Sequence, residues 1–388
     1  MDFSFTQDQQ DVRDAILKHC TQYPDDYWLE RDREGVFPED FYRSLADAGW
    51  LGIAMPTAYG GSGLGITEAT IMMQAIAESG AGMSGASSVH INIFGLQPII
   101  LFGTETQRQR AIPGIINGTD KACFAVTEPN VGLNTTQLKT RAERREGGYL
   151  VNGEKIWIST AQVSTKMLLL ARTTPLDRIE RKTDGLSLFY TDFDRAKIET
   201  RLIHKMGRHA VDSNLLFIED LWIPEEDRIG NEGDGFKIIL HGMNPERVLI
   251  AGEAVGLGRA AIRVAARYAR ERIVFDRPIG QNQGIQHPLA KCWAQLEAAN
   301  LMVLKAATQF DRGEDCGVEA NAAKYLAGEY AFEACHTAML TLGGMGYAQE
   351  YHVERYLRES LIARIAPVSP HMILNFIAEK VLELPKSY

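Results

Sequence analysis

A single glutamate next to an arginine marks the first stretch of the chain that could carry out chemistry. The stretch GMNPERVLIAG (242–252) places Glu246 directly before Arg247 in a largely apolar run. A glutamate in a dry, apolar pocket can act as a general base near neutral pH, because burial raises its pKa. The spacing alone favours a structural role, with Asn244 as N-cap, Pro245 as first helical residue and Glu246 in the first turn. At such a helix start, the helix terminus and Arg247 would lower the pKa of Glu246, so the two roles predict opposite shifts.

The C-terminal stretch RIAPVSP (364–370) contains two prolines that interrupt a region with helical periodicity. Pro367 and Pro370 each lack a backbone donor and resist helical continuation. The stretch is therefore either an exposed loop tip or a bend that lines a binding site, and its own sequence does not decide between them. A proline side chain cannot accept a proton, so Pro367 cannot act as a base.

Two glycine-rich stretches resemble nucleotide-binding motifs, but their surroundings argue against that role. GLGRAA (256–261) matches the G-x-G-x-x-A pattern, yet it continues a helical pattern, and no alternation of strands and helices surrounds it. We therefore interpret its glycines as helix-packing residues. The loop PTAYGGSGLG (56–65) lacks the Gly-Lys-Ser/Thr ending of a phosphate-binding loop.

The spacing of apolar residues divides the chain into three predicted domains, at residues 1–120, 121–232 and 233–388. In the first and third, apolar residues recur with a period of about 3.6, and we also predict the run 86–103 as helix. In the second, alternating apolar residues predict seven strands, rich in β-branched and aromatic residues. Gly147-Gly148 and Asn152-Gly153 are hairpin signals in that domain. The predicted fold class is α+β, with an antiparallel β domain between an N-terminal helical domain and a C-terminal helical bundle.

The overall composition is that of a soluble globular protein in a reducing compartment. The 388 residues carry a formal net charge of −9 without a block of basic residues, which disfavours a nucleic-acid surface. The five cysteines are scattered and form no CxxC pair, so neither a disulfide framework nor a zinc site is expected. No apolar run reaches the length of a membrane span, and the first residues lack the features of a signal peptide. We therefore expect a cytoplasmic protein without a metal.

Four stretches, in order along the chain, resemble signature regions of the acyl-CoA dehydrogenases, flavoproteins that oxidise acyl thioesters. They are FGTETQRQRAIPGIINGTDKACFAVTEP (102–129), VNGEKIWIS (151–159), RERIVFDRPIGQNQGIQ (270–286) and LGGMGYAQEYHVERYLRE (342–359). The resemblance covers essentially the whole chain, including the order of helical, β and helical domains. It implies FAD as cofactor, an acyl-CoA as substrate and an electron-transferring flavoprotein as electron acceptor.

The first two of these stretches imply residues that surround the flavin ring. Phe124, Val126 and Thr127 would lie along the isoalloxazine, whose polar edge would bond to backbone groups and to the Thr127 hydroxyl. Trp157 would flank the ring, and Ser159 would bond near its N5 atom. Without the resemblance, Trp157 would be interpreted as a core aromatic residue of a strand.

The other two stretches imply residues that reach the FAD of a neighbouring subunit, namely Arg272, Phe275, Gln283, Gly343 and Gly344. Arg272 suits the pyrophosphate because a guanidinium forms charge-assisted bonds to phosphate oxygens, and otherwise it is an ordinary cation at a helix end. The glycines would let a backbone approach the flavin closely, which is compatible with a helix C-cap.

The chain departs from the family pattern at three places. Gly132-Leu133-Asn134 replaces the usual Gly-Ser-Asp, and Leu340 replaces a glutamine, so two cofactor contacts are missing. Pro367 occupies the position of the glutamate that removes the substrate α-proton in much of the family. It also lacks the N–H that helps to polarise the thioester carbonyl there. The Val368 N–H, together with a flavin hydroxyl, is our hypothesis for that role, and Ser369 retains a hydroxyl near the flavin.

One branch of the family, including isovaleryl-CoA and long-chain enzymes, carries its glutamate on a helix of the C-terminal domain, immediately before an arginine. That match makes Glu246 the catalytic base and places Arg247 beside the substrate. The resemblance then implies FAD-dependent α,β-dehydrogenation of an acyl-CoA to the trans-2-enoyl-CoA, as in fatty acid metabolism. Two alternatives stay open: a flavoenzyme of the same fold with oxidase or desulfinase-like chemistry, and a non-catalytic acyl-CoA binder.

The sequence is less informative about assembly and acyl chain. The long, Ala- and Leu-rich C-terminal helices favour burial of more than one face, and the resemblance implies a homotetramer. The stretch SGAGMSGASSVH (79–90) occupies the region that lines the family's acyl cavity. Its small residues permit a roomy or branched-chain pocket without specifying one.

Overall fold

The computed structural model describes residues 4–387, and its N-terminal part is helical. The first helix begins at a capping box, in which the Thr6 hydroxyl accepts the Gln9 N–H and the Gln9 side chain accepts the Thr6 N–H. The run 86–103 is confirmed as helix, with a break at Gly95 and Leu96. The helices are α1 (Gln7–Cys20), α2 (Asp25–Glu34), α3 (Glu39–Asp47), α4 (Ile66–Ile76), α5 (Gly82–Phe94), α6 (Gln97–Phe102) and α7 (Glu105–Ile116).

The middle part of the chain forms one sheet with the strand order β6-β7-β3-β2-β4-β5-β8, and β1 pairs with β4. Its strands are β1 (Ala122–Ala125), β2 (Arg141–Arg145), β3 (Gly148–Ser159), β4 (Lys166–Arg172), β5 (Leu186–Asp192), β6 (Ile198–Leu202), β7 (Ser213–Pro224) and β8 (Arg228–Ile229). The seven predicted strands are confirmed as β1 to β7. The sheet is not wholly antiparallel as predicted, because β1 and β4 run parallel and the β2–β3 hairpin supplies the connection that a parallel pair needs.

Only one of the two predicted hairpin signals marks a turn. Gly147 lies in the turn between β2 and β3. The signal at Asn152-Gly153 was wrong, because both residues lie inside β3, where its register against β7 shifts. A Cβ on Gly153 would lie 2.5 Å from the Thr140 Oγ1 atom, so this glycine allows close backbone packing inside a strand.

The C-terminal part is a bundle that contains the longest helix of the described chain, α8 (Gly235–Glu271). The helix start predicted at Asn244 and Pro245 is therefore wrong, since Pro245 lies inside α8. The helix continues through the proline because apolar residues before it, including Ile238 and Ile239, are buried against the sheet side of the core. After α8 come β9 (Ile273–Val274), β10 (Arg277–Pro278), α9 (Gln283–Asp311), α10 (Gly317–Leu342), α11 (Val353–Ile365) and α12 (Pro370–Lys380).

The GLGRAA glycines are confirmed as helix-packing residues. Both lie in the middle of α8, which packs against α4, α9 and α10. A Cβ on Gly256 would lie 2.2 Å from the Gln74 backbone oxygen, and one on Gly258 would lie 2.7 Å from Leu296 Cδ2. Neither position has room for a side chain, so these glycines serve contact between helices.

One large apolar core joins the N-terminal helices to the C-terminal bundle, and a second fills the interior of the β domain. β4 belongs to two layers: Met167 and Leu169 face the β-domain core, while Leu168 and Leu170 face a cluster shared with α6 and α7. The Asp311 carboxylate at the end of α9 accepts the Ile66 and Thr67 N–H groups at 2.7 and 2.8 Å. This contact caps α4 with a side chain that lies 245 positions later in the sequence.

By length and mean hydropathy, two helical stretches could cross a membrane, Ile66–Phe102 and Val353–Lys380, which the sequence did not lead us to expect. Most of the first stretch is buried in the core, and both are interrupted, at Gly80 and at residues 366–369. Such stretches are weak evidence for a span. The five cysteines are buried and unpaired, and within residues 4–387 no cluster of metal-ligating side chains occurs.

Candidate active site

Glu246 lies inside α8, and burial raises the pKa of its carboxyl group to about 7. Its Oε2 atom is buried and accepts no hydrogen bond from any described residue. Because α8 begins at Gly235, Glu246 is not at a helix terminus, and the pKa-lowering effect expected there is absent. The carboxyl group is therefore poised to exchange a proton near neutral pH.

Charged side chains from three helices surround Glu246. His90 on α5, Arg247 on α8 and Lys324 on α10 lower its pKa, while Glu253 on α8 raises it, and together they do not outweigh burial. The Arg247 guanidinium donates to the Asn244 side chain at 2.9 Å, and its Nε atom has no partner among residues 4–387. The charges of these groups therefore influence the pKa of Glu246.

Lys324 connects this region to the RIAPVSP stretch. Its Nζ atom donates to the Arg364 and Val368 backbone oxygens at 3.1 and 2.6 Å. Burial and the nearby Arg247 charge lower the pKa of Lys324 to about 8, although Glu329 and Glu246 oppose this effect. The bend at residues 366–369 is thus fixed to a lysine that acts electrostatically on Glu246.

His90 and Glu253, which both act electrostatically on Glu246, form a buried ion pair with each other. The His90 Nδ1 atom lies 2.5 Å from Glu253 Oε1, and Glu253 is 1% exposed. Burial lowers the pKa of His90, but Glu253 outweighs this effect, so the net pKa is raised. The His90 ring packs on Phe94 at 4.9 Å, and Phe94 packs on Phe124 at 5.3 Å between ring centroids. This chain of rings joins the charged cluster to strand β1.

Arg208 links α5 to the end of β3. Its guanidinium donates to the Ser87 and Ser159 hydroxyls at 3.1 and 2.9 Å. Its backbone is left-handed, with φ +57°, a conformation that a non-glycine residue rarely adopts. Burial lowers the pKa of Arg208, although Glu253 and Glu359 oppose this effect. Ser159 therefore lies on the same side of the β domain as the α5 residues Ser87 and His90.

The residues predicted to line the flavin ring lie together at the ends of β1 and β3. Phe124 and Val126 face the helices, and the Thr127 oxygen accepts the Ile156 N–H at 2.9 Å. Trp157 adopts φ +63° and is 56% exposed, so its alternative role as a core aromatic is wrong. These side chains border one open face of the β domain.

A buried lysine holds β1 and β3 in this arrangement. The Lys155 Nζ atom donates to the Val126 and Leu170 oxygens at 3.0 and 2.8 Å and to Glu128 Oε1 at 3.0 Å. Burial lowers the pKa of Lys155 to about 8, although Glu128 raises it. Because all three ammonium protons have acceptors, the lysine fixes the backbone beside Thr127.

The five residues predicted to reach a neighbouring subunit do not join this group. No hydrogen bond, ion pair or ring contact among residues 4–387 connects them to Phe124, Trp157 or Ser159. They lie on exposed segments from the end of α8 to the start of α9 and at the end of α10, which together we call the exposed edge; Phe275 is 93% exposed and Gly343 is the C-cap of α10. Ser369 serves as N-cap of α12, its hydroxyl accepting the Met372 N–H at 3.4 Å.

Comparison with known proteins agrees with this architecture along the whole chain. The models of the acyl-CoA dehydrogenase N-terminal, middle and C-terminal domains match residues 6–119, 123–221 and 233–382. An acyl-CoA dehydrogenase of Mycobacterium tuberculosis (strain ATCC 25618 / H37Rv) is 34% identical over 398 residues, which is 100% of this chain and 99% of the relative. The chain belongs to the acyl-CoA dehydrogenase family.

Two solved structures show the same fold as this family member. Butyryl-CoA dehydrogenase from Megasphaera elsdenii superimposes with a TM-score of 0.93 at 27% identity, over 98% of this chain and 100% of the other. A structure concerning the electron-transferring flavoprotein of Acidaminococcus fermentans gives a TM-score of 0.94 at 28% identity, over 99% and 100% of the two chains. The acyl-CoA dehydrogenase fold predicted from the sequence is confirmed, and the protein is an oxidoreductase of this family.

The open face of the β domain fits a planar aromatic cofactor. Trp157 offers an exposed ring beside it, and no described residue engages the Thr127 hydroxyl. A Cβ on Gly343 or Gly344 would contact nothing within 4 Å, so space for a further molecule exists at the exposed edge as well. At that edge Leu340 is 66% exposed, an apolar side chain where the family pattern has a polar one.

Four charged residues around the candidate site were not identified from the sequence as functional candidates: His90, Arg208, Glu253 and Lys324. One signal was available, since Glu253 follows Glu246 by seven residues and therefore lies on the same face of a largely apolar helix. The other three come from separate elements, and only the folded chain shows that His90 and Lys324 act electrostatically on Glu246 while Arg208 bonds to Ser87 and Ser159.

Proposed function

We propose that this protein catalyses the α,β-dehydrogenation of an acyl-CoA thioester to the trans-2-enoyl-CoA, with Glu246 as the base. The observation that carries the proposal is the environment of Glu246: a buried, unpartnered carboxyl oxygen with a pKa of about 7. Pro367 leaves no other carboxylate at the position used in much of the family. This supports placement of the base on α8, as in the isovaleryl-CoA and long-chain branch.

Each neighbour of Glu246 has a defined part in the proposed proton transfer. The α-proton of a thioester is weakly acidic, so removal requires donors that stabilise the enolate-like charge. The Val368 N–H is free of any acceptor among residues 4–387, and its position is fixed because Lys324 holds the Val368 oxygen. Arg247 adds positive charge beside the substrate. Glu246 accepts the α-proton, and the apolar core behind α8 excludes water.

FAD is the proposed cofactor, held by Phe124, Val126, Thr127, Trp157 and Ser159, with Ser369 nearby. When bound, FAD accepts the substrate β-hydrogen with its electron pair. Thr127 offers an unengaged hydroxyl, and the Ser159 hydroxyl is oriented by Arg208. The β1–β3 backbone is fixed by Lys155, so these donors are positioned before any ligand binds.

A homotetramer and an electron-transferring flavoprotein acceptor complete the proposal. The exposed edge with Arg272, Phe275, Gln283, Gly343 and Gly344 suits contact with the FAD of a neighbouring subunit, because Phe275 is 93% exposed. The similarity to a structure concerning an electron-transferring flavoprotein supports that class of acceptor. Buried, unpaired cysteines fit a reducing compartment, and we propose the cytoplasm and a role in fatty acid metabolism.

Anaerobic titration with a panel of CoA esters tests this function. Wild-type protein should lose its oxidised flavin absorbance with at least one ester, and Glu246→Gln should slow that reduction by roughly 10²- to 10⁴-fold while retaining flavin. Glu297→Gln is the matched control, because Glu297 pairs with Arg259 elsewhere on α8 at 2.7 Å. Normal flavin reduction by Glu246→Gln would remove Glu246 from the mechanism.

The same preparation separates the alternatives. Fast peroxide formation after air is admitted would indicate an oxidase, whereas slow reoxidation that an electron-transferring flavoprotein accelerates would indicate a dehydrogenase. Protein that stays colourless after FAD is added would indicate a non-catalytic acyl-CoA binder.

A further inference from the structure

Side chains of β3, α5 and α8 lead inward from the open face to the buried ion pair that acts electrostatically on Glu246. Trp157 and Ser159 lie on β3, Arg208 joins Ser159 to α5, and His90 on α5 joins Glu253 on α8. Along this series exposure falls from 56% at Trp157 to 1% at Glu253. We call Arg208, His90 and Glu253 the inner polar group.

The inner polar group contains a hydrogen-bond acceptor without a donor. Glu253 Oε1 accepts a hydrogen bond from the His90 Nδ1–H group, because a carboxylate can only accept. Glu253 Oε2 is buried, and no described residue donates to it. A buried carboxylate oxygen in this state costs free energy unless a ligand or water donates a hydrogen bond to it.

The same group contains donors without acceptors. With Nδ1 bound to Glu253, the protonated His90 ring has a second N–H at Nε2, which no described residue accepts. Arg208 donates only to two neutral hydroxyls, and no carboxylate among residues 4–387 lies within ion-pair distance of it. Its charge is balanced only through space, by Glu253 and Glu359.

We propose that the acyl group of the substrate carries, toward its far end, a hydroxyl or similar uncharged group that both donates and accepts hydrogen bonds. This inference rests on the proposed function, with Glu246 at the substrate α-carbon. Glu246 and Glu253 are two helical turns apart on one face of α8, about 10 Å along the axis. In the proposed binding mode Glu253 therefore lies farther along the acyl chain than Glu246, and His90 lies between these two carboxyl groups, since it bonds to Glu253 and acts electrostatically on Glu246.

The two simpler acyl groups fit the inner polar group less well. An alkyl end would supply no hydrogen bond to Glu253 Oε2 or to the two cations, at about 1–3 kcal/mol for each buried group left unpaired. A carboxylate end would accept from Arg208 and His90, but it would also face the buried charge of Glu253. A hydroxyl donates to Glu253 and accepts from a cation, so it satisfies both kinds of unpaired atom.

The test uses anaerobic flavin reduction by chain-matched CoA esters: hexanoyl, ω-hydroxyhexanoyl and adipoyl, and the corresponding octanoyl, ω-hydroxyoctanoyl and suberoyl set. We expect kcat/KM for the ω-hydroxy ester to exceed that of both counterparts by roughly tenfold or more in at least one set. Preference for the alkyl ester in both sets would overturn the inference, because Glu253 would then need no hydrogen bond from the substrate. Preference for the dicarboxylyl ester in both sets would also overturn it.

A variant adds a second readout. Glu253→Gln keeps an acceptor for His90 but replaces the free oxygen by an amide that donates, so the preference for the ω-hydroxy ester should fall by about tenfold. Glu297→Gln should leave that ratio unchanged. An unchanged ratio in Glu253→Gln would overturn the inference, and the wild-type comparison decides it even if this variant does not fold.

The outcomes for the two proposals are distinct. Flavin reduced by unsubstituted acyl-CoA esters in strong preference to hydroxylated ones would leave the dehydrogenase function intact and refute the substrate class. Flavin that no CoA ester reduces would refute the dehydrogenase function and, with it, the substrate class.

Discussion

At the scale of single residues, the decisive property of Glu246 is its position inside a helix. A glutamate at a helix start beside an arginine would have a lowered pKa and would be a weak base. In the middle of α8 only Arg247, His90 and Lys324 favour its charge, and burial outweighs them. The same residue thus acquires the pKa of about 7 that proton abstraction near neutral pH requires.

The pKa of Glu246 predicts how stability depends on pH. Because the folded pKa of about 7 is above the unfolded value, the folded state binds more protons between these values. This contribution to stability is fully present below the unfolded pKa and is lost as pH rises through about 7. At pH 8, Glu246→Gln should therefore be more stable than wild type by up to about 3 kcal/mol and unfold at a higher temperature, whereas at pH 4 it should not. Thermal melts of both proteins at the two pH values measure the difference.

Activity should change with pH in the opposite sense. The rate of flavin reduction in wild-type protein should fall as pH falls through about 7, since only ionised Glu246 accepts a proton. Stopped-flow reduction across pH 5.5–9 follows this profile. A rate independent of pH in that range would show that another group limits proton transfer.

At the scale of secondary structure, local patterns predicted most elements and failed where packing decides. The strands β3 and β4 were predicted because each alternates or concentrates apolar residues in a short run. The start of α8 was missed because Pro245 is a good first helical residue in isolation. Apolar contacts of Ile238 and Ile239 extend the helix through it. Likewise, Asn152-Gly153 has turn chemistry, but close packing on Thr140 keeps it in a strand.

The functional residues divide in the same way into those that the sequence predicts and those that only the folded chain reveals. Glu246, Trp157 and Ser159 were predicted as functional residues because each matched a family motif. Arg208 was not, since its importance depends on Ser87 and Ser159, which are far from it in sequence and near it in space. Pairings between distant segments leave no periodic signal in a single sequence.

The hydrogen bonds from α4 to Asp311 lead to a prediction about protein stability. Asp311→Ala removes the cap of α4 and leaves two backbone N–H groups unpaired, so it should destabilise the protein by about 1–2 kcal/mol. Glu314→Ala in the same exposed turn is the control and should change stability by less than about 0.5 kcal/mol. Urea unfolding followed by far-UV circular dichroism compares them. Equal stability of the two variants would show that α4 does not need this cap.

At the scale of the whole molecule, the described chain leaves a substantial surface without partners. The exposed edge carries Phe275, 93% exposed, and Tyr347, 81% exposed, which are unusual for a monomer surface. Arg272 lies on the same hairpin with no ion-pair partner among residues 4–387. An assembly that covers these groups accounts for both properties.

A substitution of Arg272 would distinguish an effect on cofactor binding from an effect on assembly. If Arg272 contacts the FAD phosphates of a neighbouring subunit, Arg272→Ser should weaken flavin affinity roughly ten- to hundred-fold without changing the oligomeric mass. Arg270→Ser is the control: Arg270 lies two residues earlier, on the exposed end of α8, and its variant should retain normal flavin affinity. Flavin retention after dialysis and light scattering give the two readouts. Equal retention by both variants would contradict a role of Arg272 at the phosphates.

The cap that Asp311 places on α4 also constrains how the chain matures during synthesis. Ile66 and Asp311 are separated by 245 positions, so the ribosome has released most of the polypeptide before the cap can form. Until then, the apolar faces of α4 and α5 lack the α8 and α9 surfaces that cover them. A nascent fragment ending near residue 120 should consequently be prone to aggregation and dependent on chaperones, whereas in the completed chain α8 and α9 cover these apolar faces.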